Sequence, residues 1–192
     1  MNIAWSGVTR PLERGKGMKI KNKLGRAAGI AVATAGIVGL NLPGTASAAT
    51  AQPAALPVCT IQTFNGNYLT AVDGGGHTKD AVRTTATRAG AWEKFTLVPV
   101  AGDNLHYGLR TSNGNYLTAV GGGGRATDAI HSDATVLSTW EKFRFFARPD
   151  VIQVIDGHFL TAVGGGGRTT DAVHTDATVV DSWELFTITC AQ

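Results

Sequence analysis

The stretch N-G-N-Y-L-T-A-V-D-G-G-G, Asn65–Gly76, joins a turn, a short alternating run and a glycine cluster. It returns as N-G-N-Y-L-T-A-V-G-G-G-G at Asn113–Gly124 and as D-G-H-F-L-T-A-V-G-G-G-G at Asp156–Gly167. Extended without gaps to Asn65–Leu97, Asn113–Phe145 and Asp156–Ile188, the first two copies agree at 19 of 33 positions and the last two at 21. Copies are offset by 48 and then 43 residues, and the difference falls around P-V-A-G-D-N, Pro99–Asn104. In Y-L-T-A-V, Leu69, Leu117 and Leu160 alternate with Thr70, Thr118 and Thr161, the period of a strand. Asn-Gly before the first two runs suits a tight turn, since both residues tolerate positive φ. D-A-V-R-T-T-A-T and W-E-K-F-T-L-V, with their counterparts, supply two more strands. V-C-T-I-Q-T-F, L-H-Y-G-L-R-T and D-V-I-Q-V-I supply a fourth. A four-stranded unit this small cannot bury its own apolar face, so three must share one core.

Cys59 and Cys190 stand at the two ends of this repeated body. In an exported chain an even pair reads as a disulfide. Bridging requires Cα atoms within about 7 Å, which makes the first and last strands neighbours. Twelve strands in three units with touching ends predict an all-β fold, a β-trefoil: a six-stranded barrel capped by three hairpins. The pattern G-x-Y-L-x-A, glycine loop, A-x-x-x-x-A and W-E-x-F resembles the fascin-like β-trefoil repeat of the actin-cross-linking-like superfamily, secreted bacterial type, over nearly all of Val58–Gln192. It lacks the Gln-x-Trp of lectin-type trefoils.

Residues 1–48 read as a leader. M-K-I-K-N-K-L-G-R from Met18 is basic, A-A-G-I-A-V-A-T-A-G-I-V-G-L-N-L is apolar, and Ala46-Ser47-Ala48 ends in a small-x-small exit, together an export signal. Residues 49–57 read as a Pro/Ala tether and 58–192 as the trefoil, with copies at about 58–98, 99–146 and 147–190. The leader holds seven of the 17 basic and one of the 14 acidic residues, so the remainder carries 10 against 13. An acidic remainder disfavours nucleic acid as a partner. The expected product is a secreted, extracellular monomer with no membrane association after cleavage.

Trp92, Trp140 and Trp183, with Phe95, Phe143 and Phe186 three residues on, read with Leu69, Leu117 and Leu160 as the core; the alternative for each Trp is a sugar-stacking platform. The glycine runs have two readings, positive-φ geometry and close backbone approach to a ligand. Asp80, Asp128 and Asp171 read as turn-fixing acids at strand entrances, and Glu93, Glu141 and Glu184 as fold residues. Candidate ligand-binding residues are Arg125, His131 and Asp133, with Arg168, His174 and Asp176 as a second set, because His and Asp alternate onto one strand face near the glycine loop. Copy one lacks the set, which gives two sites. No nucleophile elbow, zinc helix or calcium loop occurs, so we expect no catalytic residues, no metal and no cofactor.

The resemblance implies a binding module. Bacterial fascin-like trefoils accompany carbohydrate-active domains, which makes a polysaccharide or glycan the expected ligand. The rival class is a protein partner: actin filaments, as for the eukaryotic members, or an extracellular enzyme to be inhibited.

Overall fold

A computed structural model of the chain describes residues 55–147 and 150–191; the leader and the first six tether residues lie outside them. The described residues contain twelve strands: β1 Val58–Gln62, β2 Tyr68–Ala71, β3 Val82–Ala86, β4 Lys94–Pro99, β5 His106–Arg110, β6 Tyr116–Ala119, β7 Ile130–Ala134, β8 Phe143–Phe146, β9 Val151–Val154, β10 Phe159–Ala162, β11 Val173–Ala177 and β12 Thr187–Ala191. Short 3-10 turns interrupt them, and no α-helix is present among these residues. Six strands form the barrel, in the antiparallel order β9-β8-β5-β4-β1-β12. A bridge between Asp150 and Phe186 draws the two ends together. The other six pair as hairpins β2–β3, β6–β7 and β10–β11, whose second strands converge at the cap. This is the β-trefoil. Cys59 and Cys190 face each other across the β1–β12 ladder and are bonded, with Cα atoms 4.0 Å apart.

The core is threefold. Leu69, Leu117 and Leu160, Phe95, Phe143 and Phe186, and Val82, Ile130 and Val173 pack inside with Ile61, Leu109 and Ile152. The tryptophans do not. Trp92, Trp140 and Trp183 are 46, 49 and 49 % exposed, which corrects their placement in the core. Each Trp-Glu pair lies in the turn that precedes the strand, and in copy three within the 3-10 turn Ser182–Glu184. Phe95 and Glu93 are buried there, whereas Lys94 and Trp92 are exposed.

What goes inside beside each Phe is a glutamate. Glu93, Glu141 and Glu184 are buried. Their Oε1 atoms accept from the hydroxyls of Thr70, Thr118 and Thr161 at 2.9, 2.8 and 2.7 Å. Their Oε2 atoms accept from the amides of Gly90, Ser138 and Asp181 at 2.6, 2.8 and 2.8 Å. A buried charge is tolerated when its lone pairs are met in this way. Each glutamate therefore ties the segment before its Trp to the first strand of its own hairpin.

Candidate functional site

Each glycine loop leaves the end of β2, β6 or β10 and reaches into the next copy. The amides of Gly76, Gly124 and Gly167 donate to the carbonyls of Ser132, Thr175 and Thr84, all at 2.7 Å. The amides of those three residues donate back to the carbonyls of His77, Arg125 and Arg168 at 2.8, 2.8 and 2.9 Å. The loops also meet the following turn: Asn113 Nδ2 donates to Asp73 O at 2.8 Å and Asn65 Nδ2 to Gly164 O at 2.9 Å. The glycines are thus joints between copies. At Gly75 an added Cβ would lie 2.5 Å from Thr111 Oγ1, and φ is +113°. The geometric reading holds at such positions.

This cyclic exchange regroups the candidate residues. Arg125 lies against Thr175, which His174 and Asp176 flank. Arg168 lies against Thr84, between Arg83 and Thr85, and His131 and Asp133 flank Ser132, the partner of His77. The structure thus adds cross-copy neighbours that the same-copy sets do not contain. The reason is that a sequence repeat records each unit's shape and not which neighbour its loop docks on. Both guanidinium groups turn back onto their own loops, with Nε donating to Thr127 O at 3.3 Å and to Thr170 O at 3.4 Å. His174 Nδ1 stands 3.9 Å from Asp176, a loose pair, and His77 Nε2 stands 3.2 Å from Asp73.

On the pseudo-threefold axis the three aspartates meet. Asp80, Asp128 and Asp171 all have positive φ, 46, 42 and 41°. The amides of Asp80, Asp128 and Asp171 donate to the Oδ1 atoms of Asp128, Asp171 and Asp80 at 3.4, 3.2 and 3.2 Å, closing a ring. The turn-fixing role is thus exercised between copies. Carboxylate oxygens of all three come within 4.8 Å of one another, the one grouping among the described residues with enough donors for a cation. No local spacing marks it in the sequence; the 48 and 43 residue offsets are its only signature.

The exposed aromatic surface lies elsewhere. Tyr107 packs edge-on to Phe145 at 6.1 Å, and Arg144 covers the Phe146 ring at 4.5 Å, so these aromatics are engaged. The tryptophans remain open. Trp92 O and Trp140 O accept from Ala71 and Ala119 amides at 2.9 and 2.8 Å, which places each indole at the root of a hairpin. Gly122 lies against Trp140. Recesses of about 350 Å³ beside Trp140 and about 250 Å³ beside Trp183 open on the surface. The core role expected from aromatic bulk keeps these residues outside the candidate ligand-binding sets.

The connection after β4 is braced by Asp103. Its carboxylate accepts from the Leu105 and His106 amides at 3.0 and 3.2 Å and from His106 Nδ1 at 2.7 Å. The Leu105 amide above all, then His106, holds this carboxyl below the ordinary aspartate value of 3.8 against an opposing desolvation. A depressed carboxyl stabilises the brace above its unfolded pKa and loses it as pH falls through the folded one. Amide exchange should therefore find Leu105 and His106 protected at neutral pH and losing protection only below 3.8. In Asp103→Ala both amides should exchange fast at every pH.

No protein-family model and no curated protein matches the chain. Solved structures do. A designed threefold-symmetric protein, ThreeFoil, superposes with a TM-score of 0.58 at 11 % identity, over 68 % of this chain and 96 % of that one. The Rhizoctonia solani agglutinin gives 0.56 at 14 %, over 71 % and 95 %. A Polyporus squamosus lectin, bound to the epitope Neu5Aca2-6Galb1-4GlcNAc, gives 0.54 at 17 %, over 71 % and 50 %. At such identities the likeness is one of fold, and the fold is the β-trefoil.

Proposed function

We propose that the chain is a secreted, non-catalytic glycan-binding module that grips a polysaccharide through Trp92, Trp140 and Trp183. The observation that carries this reading is the set of half-exposed indoles, one per copy, each following the same turn tied down by a buried glutamate. A half-exposed indole in each copy offers an apolar face with a polar N–H beside it, the chemistry that stacks on a sugar ring. Covering the free half of an indole, about 100 Å², contributes about 2–3 kcal/mol. Association costs more than that, so one site alone is weak and three on a rigid body act by avidity. That suits a ligand which itself repeats. The lectins among the structural neighbours and the resemblance to bacterial fascin-like modules support the same reading. The disulfide fits an oxidising compartment. Arg125 with His174 and Asp176, and His131 with Asp133, are polar candidates for additional hydroxyl contacts; Arg168, beside Arg83, is a cationic one.

The test is retention on insoluble polysaccharides, with filamentous actin alongside. Each single Trp→Ala variant should lose about three- to tenfold in apparent affinity, and the triple variant should not be retained. Retention by the triple variant would move the site away from the tryptophans. Trp-dependent binding to actin alone would replace the glycan with a protein partner.

A further inference from the structure

The three tryptophan sites are not equivalent. Copy two carries beside Trp140 an open groove of about 450 Å³. One wall is the β4 end and the connection after it, Val98, Pro99, Val100 and Ala101, where the first interval between copies exceeds the second. The other wall holds Leu137 and Lys142. Leu137 is seated against Gly108, where even a methyl group would collide with it. Ser138 and Thr139 line both this groove and the recess beside Trp140, so the two run into each other.

Lys142 is the only charged side chain lining the groove, and among the described residues it forms no ion pair. The acids nearest in sequence on each wall are already engaged. Glu141 is held by Thr118 and Ser138, and Asp103 by Leu105 and His106. Lys94 occupies the same register in copy one, and Leu185 occupies it in copy three. Copy two thus combines a platform, a groove and an unpaired cation.

Building on the glycan reading, we infer that the Trp140 site binds an anionic glycan, with one sugar ring on the indole and a carboxylate or sulfate of a neighbouring sugar paired with Lys142 in the groove. A compact ammonium on a flexible stem suits a point charge of this kind. A charge-assisted hydrogen bond at a partly enclosed site stabilises enough for about a tenfold preference over a neutral ligand.

Titration calorimetry of the protein with three probes of equal length tests this: an oligogalacturonate, its fully methyl-esterified form and a sulfated galacto-oligosaccharide. The acid or the sulfate should bind about tenfold more tightly than the ester. Whichever of the two is tighter identifies the anion. That preference should vanish in Lys142→Met, persist in Lys94→Met, and all probes should weaken in Trp140→Ala. Equal affinity for acid and ester, a preference that survives Lys142→Met, or one that Lys94→Met removes equally, would overturn the inference. If neutral polysaccharide is still retained in that case, the glycan reading stands without the anionic site. If no polysaccharide is retained, both fail.

Discussion

Replacing Cys59 and Cys190 together by alanine is expected to lower the unfolding free energy by about 3–5 kcal/mol. The two residues are 131 apart, and their strands form the seam of the barrel. Closing so long a loop in the unfolded chain is worth about 5 kcal/mol in the chain-entropy account, and measured losses usually fall somewhat short of it. The β1–β12 ladder runs over five residue pairs, Val58–Ala191 to Gln62–Thr187, and without the cross-link it must close against that entropy unaided. Urea titration of the double variant, and of the native protein under reductant, should give matching losses. The denaturant slope should rise as well, because a reduced unfolded chain exposes more surface. A loss below about 1 kcal/mol would mean that the ladder and the core hold the seam and the bridge is incidental.

Gly166→Ala is expected to cost about 3 kcal/mol, while Gly164→Asp, two residues away, should cost less than about 1. Gly166 has φ +113° and ψ 179°, a region open almost only to glycine, and an added Cβ would run into Thr63 Oγ1 of the first copy. Thr63 is buried, so neither partner can step aside. Gly164 also has positive φ, +68°, but an added Cβ meets nothing within 4 Å. The first copy already places Asp73 there, at φ 51°. Thermal unfolding should separate the variants by roughly 10 °C for a domain of this size. Equal shifts would show that the loops are not rigid joints between copies, and the inter-copy hydrogen bonds would then need another explanation.

The joints also show where the sequence stops being informative. Repetition of Asn65–Gly76 shows that three like units exist, and the alternation in Y-L-T-A-V shows that they are made of strands. Neither says that the loop ending at Gly124 docks on Thr175 instead of Ser132. In a threefold chain the two docking schemes have identical local patterns. A candidate set read within one copy therefore omits the residues that its loop meets in the next. The tryptophans depart from expectation for a different reason: each sits in the turn ahead of its strand, which leaves Trp140 exposed while Glu141 and Phe143 are buried, and aromatic bulk does not encode that turn.

By itself the sequence determined the number of units, their strand character, the disulfide and hence the closure of the barrel. Those follow from short-range periodicity and from one covalent distance constraint. The tertiary structure alone decided which copy faces which loop, that three aspartates 48 and 43 residues apart close a ring, and that Lys142 borders a groove. Each of these is a contact between units, and it depends on the geometry of closure, to which periodicity within a unit is blind.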